Sequence, residues 1–220
     1  AWRFLNPPLA FAQGMVVNQA GKRFCNEMVY GATLGDAMCE NNDGKAYLVL
    51  DAALYDEAKT QASVALPFQR DMARMLMYFN SRKKSTIEDL AKVYDIPEED
   101  LRSSLEEYNQ SAQNKMSCKF GKAAEDVKEL KGPFYIMDIS IDSKLAPLTT
   151  LTLGGLKVNE ETGEVLNLEG KEIRGLYAAG RTAVGVCSNI YVSGLSIADC
   201  IFSGRRIGQN LDIKEVNHGI

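Results

Sequence analysis

Tyr191-Val192-Ser193 is the stretch of this sequence in which residue types and spacing suit chemistry. In an extended segment alternate side chains project to one side, so the Tyr191 and Ser193 hydroxyls would share one proton path. An unaided serine is a weak base and a free tyrosine has a pKa of about 10, so neither works alone. Gly194 follows directly, and from Leu195 the residues read as a helix. Ser193 is the expected N-cap, which leaves backbone N–H groups near Gly194, Leu195 and Ser196 at the positive end of a helix dipole. Such an end suits a phosphate, an enolate or the electron-rich edge of a reduced flavin ring. Removing a proton beside a carbonyl needs donors for the developing oxyanion and an acceptor for the proton, and the stretch offers both.

Histidine is the informative absence. The single one, His218, is the third residue from the C-terminus, so a Ser-His-Asp triad, a His-ligated zinc and a histidine base are not expected. Proton transfer falls to Tyr, Ser, Asp, Glu, Lys or Arg. The five cysteines (25, 39, 118, 187 and 200) are odd in number and form no CxxC pair. Reduced thiols in a cytoplasmic compartment and no metal site are the expectation.

The elements that must position these groups run from Gly175 to Gly208. Leu176-Tyr177-Ala178 reads as a strand and Gly180 as a turn. A polar crossing with Ser188 and Asn189 follows, then the helix. Ile197, Cys200, Ile201, Gly204 and Gly208 recur at three- and four-residue steps, which predicts one narrow, closely packed face.

Taken with Thr152-Leu-Gly154-Gly155-Leu156 and a hairpin ending in Gly163, the segments GLYAAGR and SNIYVSGLSIADCIFSGRRIG resemble the C-terminal flavin-binding part of the fumarate reductase/succinate dehydrogenase flavoprotein superfamily. The YVSG segment is most similar to the 3-oxo-5α-steroid 4-dehydrogenases within it. Gly14-Met-Val-Val-Asn18, Gly21-Lys-Arg23-Phe24 and Asn26-Glu27 are similar to the start of the superfamily's substrate-capping region. The resemblance implies FAD as cofactor. It implies Gly154, Gly155, Ala179, Gly180, Arg181, Ser188, Asn189, Gly194, Leu195 and Ser196 as residues around it. It also implies a Ser193–Tyr191 relay extended by Tyr30. Arg181 departs from the family pattern, standing where many relatives have Glu.

Fumarate reductase-type relatives carry an Arg where this chain has Tyr191, and a His shortly before the Gly-Gly pair, where this chain has Thr149, Thr150 and Leu151. A phenol in place of a bidentate cation leaves a substrate carboxylate uncompensated, a loss on the order of several kcal/mol. The resemblance therefore favours hydride exchange at the carbon β to a ketone in a hydrophobic, steroid-like substrate, as Δ4-dehydrogenation or the reverse ene-reduction, with an electron acceptor left open. Reduction of an unsaturated carboxylate, and a non-catalytic fragment of a larger flavoprotein, are the alternatives.

The 220 residues are 45% hydrophobic and 25% charged, with a net charge of −4. The one basic run longer than two is Arg82-Lys83-Lys84, so nucleic acid is not an expected partner. No apolar run approaches the roughly 18 residues of a membrane span. No G-x-G-x-x-G pyrophosphate turn occurs. The sequence therefore reads as α/β: a capping region over residues 1–145, then over 146–220 the C-terminal part of a Rossmann-like FAD-binding domain without its N-terminal dinucleotide-binding unit. That unit is expected in the same chain or another.

Within the capping region, Met15–Val17 and Ala46–Leu50 read as strands and Asp51 as the cap of a helix to Ala62. A helical stripe is expected from Phe68, Met72, Met75, Leu76 and Phe79. Ser85 and Glu88 form a capping box, and Pro97 is expected at the first position of a helix burying Leu101, Leu105 and Tyr108. The polar segment 109–131 reads as a mobile connection to a strand over Pro133–Ile139, and Glu160–Gly163 as a hairpin turn.

Overall fold

The computed structural model describes residues 8–29, 31–65, 67–146, 153–186, 188, 191–192 and 194–211. Helices and sheets are mixed throughout, and the chain divides into two compact units, Ala1–Thr149 and Thr150–Ile220.

The first unit is built on a four-stranded antiparallel sheet. Its strands are β1 (Met15–Val17), β2 (Tyr47–Asp51), β3 (Arg82–Lys84) and β4 (Phe134–Asp138), in the order β1-β2-β4-β3. Every residue of β2 is buried, as its unbroken apolar run requires of a strand covered on both faces. Val49 pairs with Met15 on one side and Ile136 on the other. Asp51 ends β2 and caps α3 (Ala52–Ser63), its carboxylate accepting the Leu54 N–H at 2.8 Å. β3 forms the far edge of the sheet and all three of its basic residues are exposed. Helices α1 (Leu9–Gln13) and α2 (Gly31–Asn41) flank β1 in sequence, and Phe11, Leu34 and Met38 add to the core.

Of the stripe expected between Phe68 and Phe79, Leu76 packs against the core while Met75 and Phe79 are exposed, and the Phe68 side chain lies outside those described. α4 (Pro67–Met75) gives way to a π-helical turn, Leu76–Asn80. The wider turn shifts the register. Met77 and Asn80 become buried, while Tyr78 and Phe79 are 80% and 54% exposed. The Tyr55 hydroxyl donates to the Met77 carbonyl at 2.9 Å. The Asn80 amide donates to the Asp138 carbonyl at 2.6 Å and accepts the Asp138 N–H at 3.1 Å, so it extends the edge of β4 as a strand residue would.

Two helix starts move by one residue. Thr86, not Ser85, caps α5 (Ile87–Ala91), because its hydroxyl reaches the Asp89 N–H at 3.2 Å. Pro97 takes the N-cap of α6 (Glu98–Gln113), one place before the expected position. Leu101, Leu105 and Tyr108 form the buried stripe, joined by Ser104. Residues 114–131, expected to be a loose connection, pack against the core of the first unit through Cys118, Val127 and Leu130. Leu130 and Lys122 are fully buried, and Asn109 pairs with both the N–H and the carbonyl of Leu130.

In the second unit, β5 (Glu164–Leu166) and β6 (Glu172–Tyr177) form an antiparallel pair. The Asn159–Gly163 turn closes by a 2.9 Å bond from the Gly163 N–H to the Asn159 carbonyl. A 3-10 turn, Gly180–Thr182, follows β6, and α7 spans Leu195–Asn210.

The inner face of α7 is not the one the sequence pattern marks. Asp199 and Ser203 are buried, while Ile197 and Ile201 are 70% and 67% exposed. A Cβ added at Gly204 or Gly208 would meet nothing within 4 Å. The close approaches come from glycines on the segments facing the helix: Gly163 lies against Ile207, Gly180 against Cys200 and Gly185 against Asp199.

Candidate active site

α7 opens at Gly194, whose φ of 88° is left-handed and favours glycine. The N-cap is thus one residue later than expected, and Ser193 itself lies outside the described residues. Among the described residues, a Cβ at Gly194 would meet nothing within 4 Å. Leu195 and Ser196 form the first turn. The Arg181 guanidinium donates to the Ser196 hydroxyl at 3.0 Å, which sets a cation beside the positive end of the helix.

Gly180, Arg181, Gly185, Ser188 and Asp199 converge on one small pocket. Gly180 has φ 56°, and its N–H is accepted by the Ser203 hydroxyl at 2.8 Å. The Ala179 carbonyl accepts the Thr182 N–H and so closes the 3-10 turn. The Ser188 hydroxyl accepts the Gly185 N–H at 2.8 Å and donates to the Gly185 carbonyl at 2.7 Å, so this side chain shapes its own turn.

Gly155 makes a close approach, but to the chain itself. A Cβ there would lie 2.6 Å from the Thr182 carbonyl oxygen, next to the Leu156–Ala183 bridge. Gly154 faces open space. Tyr191 is half-buried, while Tyr30 and Asn189 lie outside the described residues. The second unit therefore brings together Gly180, Arg181, Ser188 and Ser196. Tyr30 belongs to the first unit.

Sequence reasoning missed Asp199 and Ser203, and it missed a buried polar cluster in the first unit. Glu27 is 1% exposed. Its carboxylate takes the Arg23 fork at 3.0 and 2.9 Å, the Val16 N–H at 3.1 Å, and Lys122 Nζ at 3.4 Å. Lys122 Nζ also donates to the Gly14 carbonyl at 2.7 Å and the Tyr108 hydroxyl at 2.8 Å. Three acceptors match the three donors of an ammonium. The Arg23 guanidinium donates to Cys118 Sγ at 3.1 Å and lies over the Tyr108 and Phe120 rings. Burial pulls Lys122 down to about 8 against the attraction of Glu27. Burial, reinforced by the Glu27 charge, pushes the Cys25 thiol up to about 12. The i, i+4 spacing of Arg23 and Glu27 is the one signal of this cluster in the sequence.

Among the described residues there is no cluster of three His, Cys, Asp or Glu side chains that could hold a metal. No described helix is long and apolar enough to cross a membrane.

The chain is 41% identical over 183 residues to a 3-oxo-5-alpha-steroid 4-dehydrogenase of Comamonas testosteroni, covering 82% of this chain and 34% of that protein. It is 31% identical over 196 residues to a probable fumarate reductase of Shewanella frigidimarina, covering 89% and 30%. The crystal structure of a 3-ketosteroid-delta4-(5alpha)-dehydrogenase from Rhodococcus jostii, in complex with 4-androstene-3,17-dione, matches with a TM-score of 0.74 and 31% identity. That match covers 92% of this chain and 39% of the other. The chain thus spans about a third of the length of the curated relatives it matches. The sequence pattern of the FAD binding domain matches residues 9–194, and the chain belongs to that family of flavoproteins.

Proposed function

We propose that this chain forms part of an FAD-dependent oxidoreductase acting on the C–C bond beside a ketone in a hydrophobic, steroid-like substrate. The observation that carries the reading is Tyr191-Val192-Ser193 running directly into the open, left-handed Gly194 at the start of α7. A tyrosine there offers a neutral proton path and no counter-ion for a carboxylate.

The residues of the second unit fit an anionic, planar cofactor. Gly194 and Gly154 leave backbone open to an approaching group, and Arg181 adds positive charge beside the first turn of α7. Arg181, Gly194, Leu195 and Ser196 would hold it, with Gly180 and Ser188 shaping the adjoining turn. Bound FAD supplies hydride acceptance or donation at the carbon β to the ketone. Tyr191 and Ser193 move the proton at the neighbouring carbon, with Tyr30 extending the path. The N–H groups opening α7 hold an oxygen on which charge develops.

Reduction of an unsaturated carboxylate is the second reading. It is favoured by the likeness to a fumarate reductase and by Arg181, a cation in the site. Incubating the full-length protein with 3-ketosteroids, fumarate and acrylate while following flavin absorbance separates the two. Turnover with the ketosteroids alone is the expected result. Turnover with carboxylates alone sinks the ketone reading.

A further inference from the structure

Residues 67–84 make a basic stretch in a chain whose net charge is −4: Arg70, Arg74, Arg82, Lys83 and Lys84 stand against one carboxylate, Asp71. Asp71 is taken by Arg70 at 3.0 Å, and among the described residues Arg74, Lys83 and Lys84 enter no salt bridge. The same stretch carries the exposed pair Tyr78 and Phe79, whose rings meet edge to face with centroids 5.0 Å apart.

Two anchors turn this pair outward. The Tyr55 hydroxyl donates to the Met77 carbonyl and the Asn80 amide joins the edge of β4, so Met77 and Asn80 face the core and the two rings between them face out. With the exposed Met75 the rings line an open cleft of about 510 Å³ on the first unit, and Lys59 and Arg74 stand at its wall. The Tyr55 ring also lines this cleft and stacks on Tyr135 with centroids 3.8 Å apart. Lys59, which pairs with Asp56, lies over Tyr55 at 4.7 Å, and Lys83 over Tyr135 at 5.5 Å. Arg82 donates to the Phe79 carbonyl at 2.9 Å. Cations are thus fixed at the border of an exposed aromatic patch.

A contiguous apolar surface left in water marks a docking face. Its composition says what docks there. Aromatic rings settle at the level of lipid headgroups, while lysine and arginine bury their stems and set their charge on phosphate. The element that exposes the rings is a π-helical turn, a rare form that recurs at functional sites.

We infer that the Met75–Phe79 turn and the cations around it dock on a lipid surface bearing anionic headgroups. The protein lies on such a surface rather than across it, no described helix being long and apolar enough to cross. Docking at this face is independent of the substrate that the enzyme takes.

The test is co-sedimentation of the full-length, FAD-loaded protein with phosphatidylcholine vesicles, with and without phosphatidylglycerol. Binding should require phosphatidylglycerol and weaken as salt is raised. Arg74→Gln, Lys83→Gln and Lys84→Gln should each weaken it about fivefold. Tyr78→Ser combined with Phe79→Ser should weaken it by about tenfold or more. All four variants should keep the melting temperature and the turnover in free solution. Failure to bind anionic vesicles, or equal binding to phosphatidylcholine alone, overturns the inference. Cation variants that bind anionic vesicles as the natural protein does overturn it as well, and they decide the matter alone should the ring variant fold poorly.

Discussion

Ser203 and Gly180 meet through one hydrogen bond: the Ser203 hydroxyl accepts the Gly180 N–H at 2.8 Å and donates its own proton to the Asp199 carbonyl one turn earlier. Both residues are buried, so Ser203→Ala leaves the Gly180 N–H without a partner or water. The expected cost is about 1–3 kcal/mol. Urea denaturation followed by a probe in the second unit measures it, and an unchanged midpoint would contradict the buried contact.

Lys122 gives the first unit a pH signature. Its folded value, about 8, lies below the 10.5 of an ordinary lysine, so between the two the unfolded chain binds more protons. This residue therefore makes stability rise with pH across that window. Cys25 works in the opposite direction, because its thiol is raised from 9.0 to about 12. Its contribution is complete below 9 and falls as pH climbs toward 12. Lys122→Met removes the rise and keeps the fall. The stability difference between the natural protein and the variant should thus grow from pH 8 to 10.5, and a flat difference in denaturant midpoints would count against burial having lowered the Lys122 value.

Tyr191→Phe and Ser193→Ala, each made in the full-length enzyme, should lower kcat by about 10²- to 10⁴-fold, the usual contribution of positioned acid–base groups. Flavin content, read from the absorbance ratio of cofactor to protein, should change little. Full activity in both variants would end the relay proposal.

Residues 1–220 expressed alone should bind FAD weakly or not at all, since no G-x-G-x-x-G turn is present to hold the pyrophosphate. Equilibrium dialysis against FAD is the measurement. A yellow complex of one flavin per chain would reverse this expectation.

Local signals in the sequence read correctly where one residue decides the outcome. The apolar run Tyr47–Leu50 followed by a capping aspartate became β2 and α3, and the Leu101, Leu105, Tyr108 spacing marked the buried side of α6. Errors arose where a distant partner decides. The π turn at Leu76–Asn80 is held by Tyr55 and by the edge of β4, neither of which leaves a trace in the local period. On α7, isoleucines and glycines signalled an inner face, yet the inner face follows Asp199 and Ser203, where Gly185 lies against the Asp199 carboxylate and the Gly180 N–H donates to the Ser203 hydroxyl. The polar composition of residues 114–131 hid the burial of Lys122, because one carboxylate ninety-five positions earlier makes it tolerable. At the candidate site, Ser196 was read as part of the helix start and Arg181 was named through the family resemblance alone. Their mutual hydrogen bond was not legible, since it joins residues fifteen apart.

The exposed row Arg82-Lys83-Lys84 on β3 also bears on how the protein behaves in a crowded solution. The free edge of an antiparallel sheet is a template for another chain's strand, and a row of like charge is among the commonest ways to block it. Two copies approaching along β3 would set one cationic row against another. The buried apolar β2 and β4 are thereby kept away from the aggregation route that an uncharged edge beside them would open.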